Sequence, residues 1–391
     1  MKTYWRLPRG VDELLPPDAW ELEALRRKVL DLFATWAYEY VEPPVIEYLD
    51  SLLVGTGQDL DLQTLKVVDQ ASGRQLGFRA DMTSQAVRID AHSRVTDDIQ
   101  RLCYAGAVVF ANPQLAQTSR VPFKAGAELF GSCELSADAE VIALMLAAVK
   151  ASGVDNPVLL LGHMGIYRSL VTDLAAQGAE FDEARLFASI QRKSQADIAS
   201  LLPDSDLARM LVELPLLMGD ADIIGHARER LAAAGESVAK ALNELDRLVG
   251  LVRAHEASVS VRIDVSELSG YGYHNGPVFA VYHPEHGQAL ALGGRYDGVG
   301  EVFGRARPAT GFDMDLKALL SRSTAGPDII FAPYVGSGEG SGHASALQAK
   351  VAELRASGAR VRVAVEENEV PKGCQGKLVL LDGTWEVVEV E

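Results

Sequence analysis

Cysteine is scarce: Cys103, Cys133 and Cys374 are the three in 391 residues, and no two stand in a CxxC spacing. That pattern offers neither a disulfide framework nor a cysteine zinc site, and a reducing cytoplasm is the expected setting. Positive charge is also short, with 37 Lys and Arg against 54 Asp and Glu, a net charge of −17. Affinity for nucleic acid comes mainly from neutralised phosphates, so wholesale nucleic-acid binding is not expected. Long apolar runs are missing. Val141–Val149 is closed by Lys150, too short a stretch to span a membrane. The opening Met1-Lys2-Thr3-Tyr4-Trp5-Arg6 lacks the apolar region of a signal peptide. No GxSxG occurs, and the glycines of 336–342 lack both the lysine of a P-loop and dinucleotide-binding spacing. Among eight histidines only His283 and His286 stand close, with Pro284 between them. That segment reads as a solvated turn, because a zinc site needs three or four convergent ligands. No metal and no cofactor is expected.

What is present is the composition of a globular protein, 48% hydrophobic and 23% charged, long enough for two or three domains. Leu22, Leu25, Val29, Leu32 and Trp36 recur at helical steps after Asp18. The Pro43-Pro44 stretch reads as an edge strand. Residues 65–68 and 75–79 read as a hairpin about Ala71-Ser72-Gly73, and 101–110 and 123–132 as paired strands. Ser136 is the expected cap of the next helix, with Asp138 in its first turn. Residues 165–250 are helical in pattern, broken at Pro203 and Pro215. A strand running into a helix is expected over 310–320, then a linker over 321–326. A small α/β unit closes the chain, with a hairpin about Asp382-Gly383. The class is α+β, since hairpins outnumber βαβ alternation.

Four segments place polar groups beside glycines or strand residues: Phe78-Arg79-Ala80-Asp81-Met82-Thr83, residues 125–131 around Glu128, residues 270–276 with Tyr273 and His274, and Gly293-Gly294-Arg295-Tyr296-Asp297-Gly298. Singly, each has a structural reading. Arg79 can pair with Asp81, Arg295 and Asp297 can fix a turn, and Glu128 can be an exposed strand position. Together and in this order they resemble the class II histidyl-tRNA synthetase catalytic domain over about residues 1–320. The resemblance implies an antiparallel sheet flanked by helices, the helical insertion near 165–250, and a homodimer through the helix after Asp18 and the Pro44 strand. The small C-terminal α/β domain over 327–391 lies outside it. Trp36 fits that interface or the core equally well.

The departures from the synthetase bear on function. Amino-acid activation needs cations aimed at the triphosphate. By alignment with the synthetase, its arginine positions fall on Phe110, Ser269 and Ala318, with Asn112 at an acidic position. Arg120 is retained in the loop between the paired strands, and Lys317 stands beside Ala318. The amino-acid side is kept. The resemblance implies that Asp81 and Thr83 meet an α-amino group, that Glu128 meets an imidazole, and that Tyr273 and His274 wall the ring. Lys124 stands where a glutamine is expected. The 66 residues after Ala325 carry six Lys and Arg against ten Asp and Glu, a poor surface for RNA.

This combination resembles the regulatory subunits of ATP phosphoribosyltransferase. That resemblance implies a non-catalytic role in the first step of histidine biosynthesis. It implies activation of a short-form catalytic subunit in a hetero-octamer, and feedback by L-histidine held by Asp81, Thr83, Arg120, Glu128, Tyr273 and His274. No tRNA or membrane partner is implied. An aminoacyl ligase acting on a non-tRNA acceptor and a stand-alone histidine sensor are the other readings. The substituted arginine positions speak against the ligase.

Overall fold

The computed structural model describes residues 4, 6–53, 58–112, 119–268, 273–320, 328–335 and 341–390. The chain divides into two compact units, one of Met1–Leu14 with Glu21–Ser321 and the other of Leu15–Trp20 with Arg322–Glu391. The expected linker over 321–326 lies outside the described residues.

The first unit is built on a nine-stranded sheet. In spatial order its strands are Glu39–Tyr40, Gln100–Ala107, Phe123–Phe130, Ala309–Asp315, Ala291–Arg295, Pro277–Tyr282, Val158–His163, Ser260–Asp264 and Met218–Asp220. The outer pair Glu39–Tyr40 with Gln100–Ala107 and the pair Val158–His163 with Ser260–Asp264 are parallel. The other pairings are antiparallel. A smaller sheet orders Ile46–Tyr48, Gln75–Phe78 and Lys66–Val68, which puts the strand after Pro44 at an edge. Its hairpin turns on Asp69, whose carboxylate accepts from the Ala71 and Ser72 amides, the local bonding that makes aspartate a turn residue.

Strand periodicity decides which face carries the core and which carries chemistry. Cys103, Ala105, Ala125, Ala127 and Leu129 point into the core shared with the helices. The helix Leu135–Ala151 is buried on almost every side there, with Val141, Ile142, Leu144 and Met145 inaccessible. A helix apolar all round belongs inside a core. Truncating Ile142 to alanine would cost about 2–5 kcal/mol in transfer and cavity terms. The alternate residues Tyr104, Lys124, Gly126 and Glu128 are left on the opposite face. Trp36, at the end of the helix Asp18–Thr35, is partly buried against the helix-side core.

Three expectations need correction. The helix after residue 134 begins at Leu135, with Glu134 in the cap position and Ser136 inside the first turn. The segment 310–320 is the strand Ala309–Asp315 followed by turns, not by a helix. The insertion is helical from Met164 to His255, but it also contributes the strand Met218–Asp220 to the sheet edge. Three residues after a proline turn give too short a period-two signal to read.

The second unit orders Arg360–Val363, Ile329–Ala332, Gly376–Leu381 and Thr384–Glu389. The helix Ser341–Ala356 makes the crossover between its first two strands, which run parallel. The last two strands form the hairpin about Asp382 and Gly383, at φ 48° and 83°. Two successive positive φ angles are what a tight two-residue hairpin turn requires. Ala332, Leu347, Val351, Leu378 and Trp385 form its core, and the Trp385 indole donates to the His343 carbonyl at 3.1 Å.

Candidate functional site

Glu128 lies on the non-helical face of Phe123–Phe130 and is 1% exposed. It is therefore not the exposed strand position that its sequence context allows. An isolated carboxylate at such depth is costly unless its oxygens are satisfied. The Tyr104 hydroxyl donates to Oε1 at 2.9 Å and the Tyr296 hydroxyl donates to Oε2 at 2.5 Å. Burial nevertheless dominates and pushes the Glu128 carboxyl up to about 8, with the two tyrosine bonds only partly opposing it. Gly311 faces Glu128 on the neighbouring strand. A Cβ there would sit 1.6 Å from Oε2, so only bare backbone lets the carboxylate lie flat across the sheet. Gly294 does the same for His274, whose ring nitrogen Nε2 would be 2.9 Å from an added Cβ.

The remaining polar groups gather around this carboxylate. Thr83 opens a short helix, its hydroxyl is 3.4 Å from the Tyr104 hydroxyl, and its amide donates to Asp81 at 3.1 Å. Asp81 is half-buried, and burial followed by the nearby Asp313 charge raises its pKa. The Tyr273 ring lies 4.2 Å from that of His274 and 6.1 Å from that of Tyr296, centroid to centroid. Lys124 pairs with Asp313. Burial alone would lower the Lys124 ammonium, but Asp313, Asp315 and Asp81 together hold it above its usual value.

Of the expected site residues, Asp81, Thr83, Glu128, Tyr273 and His274 therefore fall into one cluster. Arg120 has its contacts elsewhere. Its guanidinium donates to the Phe110 and Arg9 carbonyls, and its amide donates to Gly10. It stands at the loop end of the hairpin, eight residues before Glu128, or about 26 Å along an extended strand. Ser269 lies outside the described residues. Tyr104, Tyr296 and Asp313 were not singled out from the sequence as site residues. The available signal was alternation, since 104, 124, 126 and 128 share one face once the strands pair in the register Tyr104 to Gly126.

The other motif residues are scaffold. Arg79 does not pair with Asp81. It is 5% exposed and donates to the carbonyls of Pro43 at 2.5 Å and Ala107 at 2.8 Å. Arg295 is 5% exposed and reaches beyond its own turn to the fully buried Asp138, at 2.7 Å, while also donating to the Ser132 and Glu134 carbonyls. Lys317 donates to the Val121 carbonyl at 2.7 Å and to Asp12 at 3.3 Å. Among the described residues no His, Cys, Asp and Glu group could hold a metal ion. Among them, too, no helix is long and apolar enough to cross a membrane.

The cluster thus sets acidic groups beside aromatic rings, the chemistry that suits a small ligand carrying an ammonium group and a ring N–H. A model of histidyl-tRNA synthetase matches residues 10–319. A model of the ATP phosphoribosyltransferase subunit HisZ C-terminal domain matches residues 327–388. The ATP phosphoribosyltransferase regulatory subunit of Thioalkalivibrio sulfidiphilus is 50% identical over 365 residues, covering 91% of this chain and 90% of that protein. The protein of the same name from Pseudomonas fluorescens is 45% identical over 391 residues and covers 98% of each. A crystal structure from Bacillus halodurans, titled as an ATP phosphoribosyltransferase regulatory subunit/histidyl-tRNA synthetase, superposes with TM-score 0.81. It is 26% identical and covers 96% of this chain and 98% of that one. Histidyl-tRNA synthetase from Nostoc superposes with TM-score 0.78 over 99% of this chain and 97% of its own, at 15% identity, which bears on the fold alone. By its near full-length identity to these relatives, on a histidyl-tRNA synthetase-like fold, the chain belongs to the ATP phosphoribosyltransferase regulatory subunit family.

Proposed function

We propose that this chain is a non-catalytic regulatory subunit acting in a reducing cytoplasm. It activates a short-form ATP phosphoribosyltransferase in the first step of histidine biosynthesis and carries feedback inhibition by L-histidine. Its assembly is a homodimer within a hetero-octamer, without tRNA. One observation carries the reading. Glu128 is buried in a cluster with Asp81, Thr83, Tyr273 and His274, while the positions that would aim cations at ATP hold Phe110 and Ala318.

In the pocket, Glu128 accepts the imidazole N–H and Asp81 takes the α-ammonium, with Thr83 beside it. Tyr273 and His274 wall the ring. Feedback further requires that histidine bind one state of the complex better than another. Without charge stabilisation of the triphosphate, adenylation has lost its main source of rate, since a single such contact carries about 10²–10³ in rate.

The test is to mix the full-length chain with a short-form catalytic subunit. The expected result is co-elution, a rise in turnover, and inhibition of the complex by histidine. The chain alone should show no histidine-dependent exchange of pyrophosphate into ATP. Exchange at the rate of a synthetase, or no complex and no rise in turnover, would overturn the proposal.

A further inference from the structure

A zwitterionic amino acid brings a carboxylate as well as an amine, and the groups assigned so far leave that carboxylate without a cation. Arg120 is engaged with the Phe110 and Arg9 carbonyls, Arg295 with Asp138, Arg79 with the Pro43 and Ala107 carbonyls, and Lys317 with Val121 and Asp12. Lys124 differs from all of these. It is on the same strand and the same face as Glu128, with Gly126 between them. The two are four residues apart, about 13 Å along the strand. Its side chain is 23% exposed, and its partner Asp313 is 27% exposed. The pair is therefore more open to solvent than Glu128, which is 1% exposed. Around this single ammonium stand Asp313, Asp81 and Asp315. That excess of carboxylates favours an incoming ammonium, and among the described residues Lys124 is a partly exposed cation on the Glu128 face of the strand, placed to meet an incoming anion.

We propose that Lys124 holds the α-carboxylate of the ligand, exchanging its bond to Asp313 for one to the ligand while Asp81 and Asp313 take the ammonium. Lys124 then determines specificity. It selects ligands that carry ring, amine and carboxylate over those that carry ring and amine alone. This assignment rests on the reading of the Glu128 cluster as an amino-acid pocket.

The test compares L-histidine with L-histidinol, which keeps the ring and the amine but has an alcohol in place of the carboxylate. Both are titrated calorimetrically into the full-length chain, alone and in complex with the catalytic subunit. Wild type is compared with Lys124→Met, Lys124→Arg and Lys124→Met/Asp313→Asn, each first checked for native circular dichroism. Losing one member of a desolvated charge pair corresponds to about thirty-fold or more in affinity. Lys124→Met is therefore expected to weaken L-histidine by about that factor. It should leave L-histidinol unchanged or tighter, because the carboxylates lose a competing cation. Lys124→Arg should restore most of the histidine affinity. In the double variant, which removes an ammonium partner as well, both ligands should weaken but L-histidine by the larger factor, and this keeps the assignment falsifiable if the single variant misfolds. If Lys124→Met weakens both ligands equally, or neither, the pocket stands and the Lys124 assignment is wrong. If wild type binds neither ligand in either form, the pocket reading fails and the assignment with it.

Discussion

The two ends of the hairpin formed by Gln100–Ala107 and Phe123–Phe130 treat charge in opposite ways. Towards the end away from the loop, Glu128 is buried among hydroxyl donors that its own sheet supplies. Further along the same face, towards the loop, Lys124 pairs with Asp313, whose charge reaches Asp81, so these groups mainly answer one another. At the loop end, Arg120 and Lys317 are committed to backbone carbonyls. Side chains bonded to carbonyls act as struts, because their donors are spent on the fold. An arginine retained in a sequence is thus no evidence of a retained anion site until its donors are followed. A buried carboxylate cluster is costly unless a bound cation or ring N–H returns part of that cost.

The largest effect expected from testing this contrast is at Arg295, a strut beneath the pocket. Arg295→Met would leave Asp138 buried and uncompensated, a loss of about 3–5 kcal/mol, visible as a large fall in thermal midpoint by calorimetry. A loss below about 1 kcal/mol would mean that the arginine serves a ligand and not the fold.

The next effect depends on pH. The folded Glu128 carboxyl is raised to about 8 from an ordinary 4.5, so the folded chain keeps a proton that the unfolded chain gives up. Its contribution to stability is fully present below about pH 4.5 and is lost as pH rises towards about 8. Glu128→Gln lacks this titration. Its stability relative to wild type is expected to climb across that window by up to several kcal/mol. Denaturant melts at pH 5 and pH 8 read the difference directly. A gap that stays constant or shrinks with rising pH would place an ionised, well-solvated carboxylate at this position.

The smallest effect is at the loop end. Arg120→Met removes charge-assisted bonds to two carbonyls and should cost about 1–3 kcal/mol, with histidine affinity nearly unchanged. A tenfold loss of histidine affinity in a folded Arg120→Met chain would return Arg120 to the pocket and erase the distinction between the two ends.

Much of the fold could be read from the sequence because its signals are local. The C-terminal hairpin followed from Asp382-Gly383, where positive φ angles are needed at both positions. The paired strands around Tyr104 and Glu128 followed from their apolar runs. Glu128, Asp81 and Thr83 were legible through the order of motifs. What stayed hidden depends on distant partners. Nothing near Arg295 in sequence points to Asp138, 157 residues away. Nothing near Glu128 points to Tyr296, 168 residues away. The carbonyl acceptors of Arg79 and Arg120 have no sequence signature at all, since every residue carries one.

The central claim is that the cluster around Glu128 is where L-histidine acts. Glu128→Ala, folded and assembled with the catalytic subunit, should lose about thirty-fold or more in histidine affinity by titration calorimetry, and with it feedback inhibition, while still activating its partner. Unchanged histidine affinity in that complex would contradict the account and put the histidine site elsewhere.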